Sequence, residues 1–226
     1  MNSKSFYDNH KNFSLRSLIE YEISPGIKCK FDLILENFTL NKEFNNGLDV
    51  GCSGNSFLYF LKNIRTKSFL DLSNIPLSQY KSEAKSILKK RNNPIVTFNP
   101  ICGDIIKLPY INDSFDLVCS LDTLEHIKND TLAISEISRV LRKNGIAIIT
   151  VPHRSKYFTY QDQIIGHFRR YEIEQIIRLF ERCHLKCVRY FNVYGKLMKF
   201  SLLQTLNPGK MEQSLIKMRL RKFRKI

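Results

Sequence analysis

The stretch NGLDVGCSGNS, residues 46–56, is the most informative part of this chain. A short apolar run enters a tight turn of small residues, and an apolar pattern typical of a helix follows over residues 57–61. A strand, a turn and a helix in this order bring backbone amides and a helix N-terminus against a ligand. Because small residues also form ordinary turns, this stretch needs support from the sequence that follows it.

Two aspartates provide that support at the ends of the first two predicted strands. Asp49 lies within the loop stretch, and Asp71 closes the next apolar run 22 residues later. A strand-helix-strand unit needs about 20 residues to bring its second strand end to the ribose of a nucleotide lying over the loop. The pair therefore predicts a nucleotide-type ligand at this edge of a sheet.

Apolar, β-branched runs alternate with helical patterns along most of the chain. Strands are predicted at 46–51, 67–71, 95–99, 115–120, 145–151 and 187–193, and helices near 27–38, 55–64, 75–91, 129–142 and 171–183. Strands separated by helices pair in parallel and are covered on both faces. The predicted fold class is α/β, a Rossmann-like doubly wound and mostly parallel sheet. The sequence leaves a last antiparallel strand undecided, because no clear alternation of apolar and polar residues follows Lys196.

Further motifs follow the loop in order. They are Gly103-Asp104, LPY at 108–110, NDSFDLV at 112–118, LDTLEHI at 121–127 and EISRVLRKNG at 136–145. With them, roughly residues 40–195 resemble a class I S-adenosylmethionine-dependent methyltransferase of the broad small-molecule type. The loop departs from that family's Asp-x-Gly-x-Gly-x-Gly pattern, because Ser53 and Asn55 stand at the second and third glycine positions.

The resemblance implies S-adenosyl-L-methionine as cofactor and assigns residues to it. Gly51 lets the backbone approach the cofactor, and Asp49 helps hold the loop and the aminoacyl end. An ionised Asp71 can accept both ribose hydroxyls, and Asp104 can accept the adenine amino group. The predicted cofactor set is Asp49, Gly51, Cys52, Ser53, Gly54, Asp71, Leu72, Asp104, Ile105 and Leu121.

Two histidines are candidates for the catalytic base. His126 follows the fourth predicted strand, at the carboxyl edge where open α/β sheets bind ligands. A neutral imidazole there can take a proton from a hydroxyl, although it can equally orient a loop or cap a helix. His167 lies in GHFRRY, residues 166–171, behind an aromatic stretch at 152–163 that is typical of a lid. Similar segments occur in members of the family.

Two arginines and a tyrosine complete the predicted acceptor site. Arg169 and Arg170 suit a phosphate or carboxylate of the acceptor. The alternative is a surface ion pair of these arginines with Glu172 or Glu174. Arg170 and Tyr171 are predicted to bind substrate, and no metal is predicted.

The predicted function is methyl transfer to a hydroxyl, with nitrogen second, of a small-molecule or lipid-linked acceptor. RNA or protein methylation is the alternative, suggested only by the basic charge. The Asn/Asp-Pro-Pro-Tyr/Phe run that marks amide or base nitrogen as acceptor is absent, since LDTL stands at 121–124. A non-catalytic scaffold with the cofactor fold is a further alternative.

Composition limits the class of protein. The 226 residues suit one domain with a full-sized core, and 43% hydrophobic with 12% aromatic residues is typical of a globular chain. No apolar run approaches 18 residues, and the first residues lack a signal-peptide core. The six scattered cysteines predict reduced thiols and a cytoplasmic location.

The net charge of +15 is concentrated near the end of the chain. Residues 196–226 hold nine basic side chains and one acid. This segment is predicted as a basic tail, following an N-terminal helical flap at 1–40 and the cofactor-binding domain at 41–195. A solvated tail is the simplest interpretation, peripheral association with an anionic membrane comes next, and nucleic acid ranks last.

Overall fold

The computed structural model describes residues 24–37, 43–54, 56–78 and 97–193. Five strands form one sheet: β1 (Phe44–Val50), β2 (Ile64–Asp71), β3 (Thr97–Cys102), β4 (Phe115–Leu121) and β5 (Leu141–Thr150). Four α-helices with defined bounds accompany them: α1 (Pro25–Asn37), α2 (Asp130–Val140), α3 (Tyr160–Ile164) and α4 (Ile173–Arg182). Residues 74–78 are also helical.

The sheet has the order β3-β2-β1-β4-β5, and all four pairings are parallel. The order reverses direction between β1 and β4, which is the switch point where open α/β sheets bind ligands. Because all strands run the same way, Asp49, Asp71 and Leu121 reach the same carboxyl edge. The predicted Rossmann-like α/β fold is confirmed.

Both faces of the sheet are covered. Along β4, Leu117 and Cys119 belong to one buried apolar cluster and Val118 to the other, as the period of two in a strand requires. The first cluster includes Phe31 of α1, and the second includes residues from α2 and α4, such as Ile134 and Ile176. The site at the carboxyl edge therefore rests on strands that are held from both sides.

The predicted sixth strand at 187–193 is wrong. These residues have no regular secondary structure, and β5 pairs only with β4 in the described part of the chain. Val188 and Tyr190 keep 89% and 61% of their surfaces exposed. Alternation and β-branched residues show that a segment suits a strand, but they do not provide the neighbouring strand that must accept its hydrogen bonds.

The predicted helix at 55–64 is also wrong. A single 3-10 turn, Phe57–Phe60, replaces it, and β2 begins shortly afterwards at Ile64. All four residues of the turn are buried, so the apolar pattern came from enclosure on every side rather than from one helical face. An α-helix N-terminus therefore does not contribute to binding at this loop.

The remaining predicted elements agree with the structure within a few residues. The helices predicted near 27–38, 129–142 and 171–183 correspond to α1, α2 and α4, and the helix predicted at 75–91 is described only over 74–78. The basic tail lies outside the described residues, as does the flap before residue 24. In the described ranges, no helix is long and apolar enough to cross a membrane.

Candidate active site

The loop after β1, residues 51–54 and hereafter the β1 loop, is held by its own backbone. The amides of Gly51 and Cys52 donate to the carbonyl of Leu70 at 2.8 and 3.2 Å. Gly51 has φ +71°, and a Cβ at this position would overlap the Thr123 side chain. Glycine is therefore required here by both conformation and space. Ser53, at a family glycine position, adopts φ +49°, and Asn55 lies outside the described residues.

Asp49 lies beneath the β1 loop and is almost completely buried. Its Oδ2 accepts a hydrogen bond of 2.5 Å from Ser56 Oγ, which also accepts from the Leu58 amide at 3.1 Å. Burial raises the pKa of Asp49 from 3.8 to about 7, against the lowering effect of hydrogen bonds from Ser56 and the Phe57 amide. A cation next to this carboxyl would favour its ionised form.

Asp71 joins the ends of β1 and β2. Its Oδ2 accepts the Ser53 amide and its Oδ1 accepts the Ser73 amide, each at 2.9 Å. An ionised carboxylate has about four lone-pair sites, so these two bonds leave capacity for hydroxyl donors. Asp71 thus shapes the β1 loop, a role that its sequence position did not reveal.

The other predicted cofactor residues lie along the same edge. Asp104 is exposed, and its Oδ1 accepts the Ile106 amide at 3.1 Å, which caps a 3-10 turn that starts at the buried Ile105. Leu121 ends β4, and Leu72 follows β2, where its carbonyl accepts a contact of 3.4 Å from Cys102 Sγ. The fold therefore brings the predicted set to one edge, over the ends of four neighbouring strands.

A cleft opens at this edge between the sheet and α1. It is lined by Ile27, Lys30, Phe31, Asp49, Gly51, Cys52, Ser53, Leu121 and Asp122. Five of these residues belong to the predicted cofactor set. The other four, three of them on α1, were not predicted.

Across the turn after β4, the structure brings the two candidate histidines together. The rings of His126 and His167 meet edge to face with centroids 4.5 Å apart. His167 Nε2 lies 3.8 Å from Oε1 of Glu125, a carboxylate that is 1% exposed. The Phe168 amide donates to the Glu125 carbonyl at 2.8 Å, which fixes the lid segment against this turn.

Asp162 of α3 orients His167. Its Oδ1 lies 2.9 Å from His167 Nδ1, and Arg170 donates to both of its oxygens at 2.9–3.1 Å. Burial alone would raise the pKa of Asp162, but hydrogen bonds from His167, Arg170 and the Thr159 amide hold it well below its usual range. The carboxylate is therefore ionised, so Nδ1 of His167 carries a proton and Nε2 points towards Glu125. We call Glu125, His126, Asp162, His167 and Arg170 the histidine cluster.

The arginines have other partners than those expected. Arg170 pairs with Asp162, and Arg169 pairs with Asp130 at 2.5 Å, so the alternative of Glu172 or Glu174 is wrong. Tyr171 is 5% exposed, and its hydroxyl donates to the Leu124 carbonyl at 3.2 Å and to Asp130 Oδ2 at 3.0 Å. Arg170 and Tyr171 therefore brace the lid segment, and substrate contact by either remains a prediction.

The histidine cluster also contains three side chains of the types that bind metal ions. Ligand atoms of Glu125, His126 and His167 lie within 4.8 Å of one another. A carboxylate that holds the second nitrogen of a histidine, as Asp162 does here, is common around metal ligands. The same arrangement also serves a histidine that exchanges protons.

Sequence reasoning missed several residues of this site. Glu125 had a signal, because it adjoins His126 in a turn after a strand. Asp162 also had a signal in the sequence, because it is the third residue after Thr159, as in a capping box. Lys30 and Asp122 had no signal in the sequence, because they are 92 positions apart and only the fold brings them into contact.

Comparison with known proteins agrees with this geometry. Residues 48–149 match the family described as Methyltransferase domain. An uncharacterized protein of Methanocaldococcus jannaschii is 29% identical over 194 residues, which are 84% of this chain and 78% of that protein. Norajmaline N-methyltransferase of Rauvolfia serpentina is 29% identical over 120 residues, 51% of this chain and 39% of that enzyme.

Solved structures extend the likeness in fold. Phosphoethanolamine N-methyltransferase 2 of Haemonchus contortus, crystallised with phosphomonomethylethanolamine and S-adenosylhomocysteine, superimposes with a TM-score of 0.66 at 20% identity. The similarity covers 96% of this chain and 52% of that enzyme, so this chain spans about half of its length. Residues 48–149 therefore form a methyltransferase domain of the class I S-adenosylmethionine-dependent type, whose cofactor is S-adenosyl-L-methionine.

Proposed function

We propose that the protein transfers the methyl group to a hydroxyl of a small-molecule or lipid-linked acceptor, with His167 as the base. One observation carries this proposal: a histidine with a side chain only 10% exposed, whose Nδ1 is held by an ionised aspartate at the edge of the sheet where the cofactor residues gather. Hydroxyls differ from neutral amines in that they must lose a proton during the transfer, so a base is needed.

On this proposal, the β1 loop and its neighbours hold the cofactor. Gly51 gives the loop a path that a Cβ would exclude by overlapping Thr123, and Asp49 places a carboxyl group beneath the loop. Asp71 and Asp104 would accept from the ribose and the adenine amino group. When bound, the cofactor supplies an electrophilic methyl group on a sulfonium.

The histidine cluster would handle the proton. The acceptor hydroxyl would donate its proton to Nε2 of His167 while its oxygen bonds to the methyl carbon. The bond from that carbon to the sulfonium sulfur would break, which releases S-adenosylhomocysteine. The imidazolium is then stabilised by Asp162 at 2.9 Å and by Glu125 at 3.8 Å. Leu121 and Asp122 line the cleft, and His126 follows Asp122 within four residues, or about 14 Å at most. The proposal requires that an acceptor bound next to the cleft reaches Nε2 of His167.

Transfer to an amine nitrogen is the second candidate. Two of the similar proteins are named N-methyltransferases. The histidine cluster has two buried carboxylates, Glu125 and Asp162, and one arginine that already pairs with Asp162. This balance favours a neutral or cationic acceptor over an anionic one.

Product analysis separates these candidates. The full chain would be incubated with isotopically labelled S-adenosylmethionine and a fractionated metabolite and lipid extract, and labelled products would be identified by mass spectrometry. A methyl ether or ester supports the proposal, and a methylated amine establishes the second candidate. Label found in RNA or protein instead would contradict both, and would restore the alternative that the basic charge suggested.

With an acceptor identified, His167→Ala should lower kcat about 100-fold while cofactor affinity stays within twofold. His184→Asn is the matched control, because His184 is exposed and outside the histidine cluster. Chelation should leave turnover unchanged if His167 is a base. Loss of turnover with EDTA, restored by Zn²⁺, would mean that Glu125, His126 and His167 bind a metal instead.

Peripheral association with an anionic membrane remains part of the proposal and rests on sequence alone. Residues 217–225 contain six basic side chains, with Met218, Leu220 and Phe223 between them. Each cation contributes about 1 kcal/mol near an anionic bilayer. Deleting 210–226 should abolish salt-sensitive sedimentation with phosphatidylserine vesicles and leave cofactor binding intact. Failure of the full chain to sediment at low salt would reject this part of the proposal.

A further inference from the structure

Lys30 occupies an unusual place for a lysine. It lies on α1, is only 6% exposed, and lines the cleft together with Asp49 and Gly51. Its Nζ forms an ion pair with Asp122, whose side chain is 34% exposed. Removing a lysine ammonium from water is costly unless it is paired. A charge in this position therefore indicates a function at the cleft.

Both partners are held firmly. Asp122 has φ +51°, its amide donates to the Thr150 carbonyl at 3.0 Å, and its Oδ1 accepts from Thr150 Oγ1 at 2.8 Å. On the other side, the ring of Phe31 packs edge-on against Phe57 at 5.1 Å. The cationic and anionic groups therefore face the cleft from two rigid supports, α1 and the end of β4.

The charges in the cleft match the aminoacyl end of the cofactor. That end is a zwitterion, with an α-carboxylate and an α-ammonium group. Among the described residues that line the cleft, Lys30 is the only cation, while Asp49 and Asp122 are acids. Without Lys30, the α-carboxylate would face two carboxyl groups and no opposite charge.

We propose that Lys30 binds the α-carboxylate of S-adenosylmethionine and that Asp122 binds its α-ammonium group. Before the cofactor binds, the ion pair between Lys30 and Asp122 keeps both side chains in the positions from which they would bind its two charged groups. Lys30 then determines specificity, because it distinguishes the complete cofactor from analogues without the amino acid. This inference requires only that the cleft binds the cofactor, and it is independent of the acceptor chemistry.

Calorimetry with two ligands tests the assignment. Lys30→Met should weaken binding of S-adenosylhomocysteine about 10- to 100-fold, the range of a charge-assisted hydrogen bond. Binding of 5′-deoxy-5′-methylthioadenosine, which lacks the amino acid, should stay within twofold. Lys28→Met is the matched control, because Lys28 lies on the same helix with a 53% exposed side chain and pairs with Asp32. It should change neither affinity.

Equal losses for both ligands would overturn the proposal and make Lys30 a structural link between α1 and the sheet. Unchanged binding of S-adenosylhomocysteine would overturn it as well. The wild-type chain gives an independent test that needs no folded variant: decarboxylated S-adenosylmethionine should bind at least tenfold more weakly than S-adenosylmethionine, and equal binding would reject the role of Lys30. Absence of binding by methylthioadenosine and by the complete cofactor would instead reject the cofactor site itself.

Discussion

The β1 loop and the histidine cluster lie at the same edge of the sheet but are held by different kinds of bond. The β1 loop is fixed mainly by main-chain groups, since the amides of Gly51 and Cys52 donate to one carbonyl of β2. The histidine cluster is fixed by side chains, with Asp162 holding both His167 and Arg170. Backbone conformation therefore determines the first region, and charge determines the second.

This difference indicates where each region is vulnerable. A loop that depends on one φ angle should be most sensitive to the addition of a Cβ at that position. A buried ionic cluster tolerates small changes of shape but not the loss of one partner, because the other charge is then left buried. Four predictions test this contrast, from the largest expected effect to the smallest.

Gly51→Ala should have the largest effect. Alanine at φ +71° is strained, and its Cβ would overlap the Thr123 side chain, so the loop must move. Strain and overpacking together cost about 4 kcal/mol, and cofactor affinity should fall more than 100-fold by calorimetry. Gly103→Ala is the control, because its Cβ would lie 3.1 Å from Leu70 Cδ1 and the backbone at Gly103 does not have a positive φ. Comparable losses of cofactor affinity in both variants would show that the conformation of Gly51 is not what cofactor binding depends on.

The pH dependence of stability should report on Asp49. Its raised pKa of about 7 means that the folded chain binds a proton which the unfolded chain releases near pH 4. Stability of the ligand-free chain therefore falls as pH rises from about 4 to 7, by about 3 kcal/mol between pH 5 and pH 8. Asp49→Asn should remove this slope in denaturant unfolding. Parallel curves for both proteins would contradict the assignment.

Arg170→Met should destabilise the histidine cluster without affecting the β1 loop. Asp162 would keep its buried charge but lose the hydrogen bonds from Arg170, which should lower the free energy of unfolding by about 2–3 kcal/mol. This loss is somewhat smaller than for breaking a fully buried ion pair, because His167 still donates to Asp162. Arg65→Met is the control, since its pair with Glu43 spans 3.9 Å at the surface and contributes less than about 1 kcal/mol. Chemical denaturation gives both values. An Arg170→Met variant as stable as the control would show that the cluster is not held by charge.

Asp71→Ala should measure the smaller side-chain contribution to the β1 loop, because Asp71 accepts the Ser53 amide. Loss of a charged acceptor contributes roughly 1.5–2 kcal/mol, or about 10- to 30-fold in cofactor affinity. Asp71→Asn retains one acceptor oxygen for the Ser53 amide and should lose less. An intact fold with unchanged affinity in Asp71→Ala would remove Asp71 from the cofactor site.

The sequence by itself determined the class of fold and brought the predicted ligand residues to one edge of the sheet, and its resemblance to a known family gave the cofactor. These features follow from local patterns: apolar period, short turns of small residues, and aspartates at strand ends. Such patterns fail where the partner is remote. The predicted strand at 187–193 has suitable residues but no neighbour to pair with, and the predicted helix at 55–64 is a buried turn.

Only the tertiary structure decided which side chains meet. It placed His126 against His167, 41 positions away, and it joined Lys30 to Asp122 across 92. It also gave Arg170 a buried partner in place of an exposed one. Contacts of this kind depend on how helices and loops dock on the sheet. Docking is decided by packing and desolvation over the whole chain, so no short window of sequence contains that information.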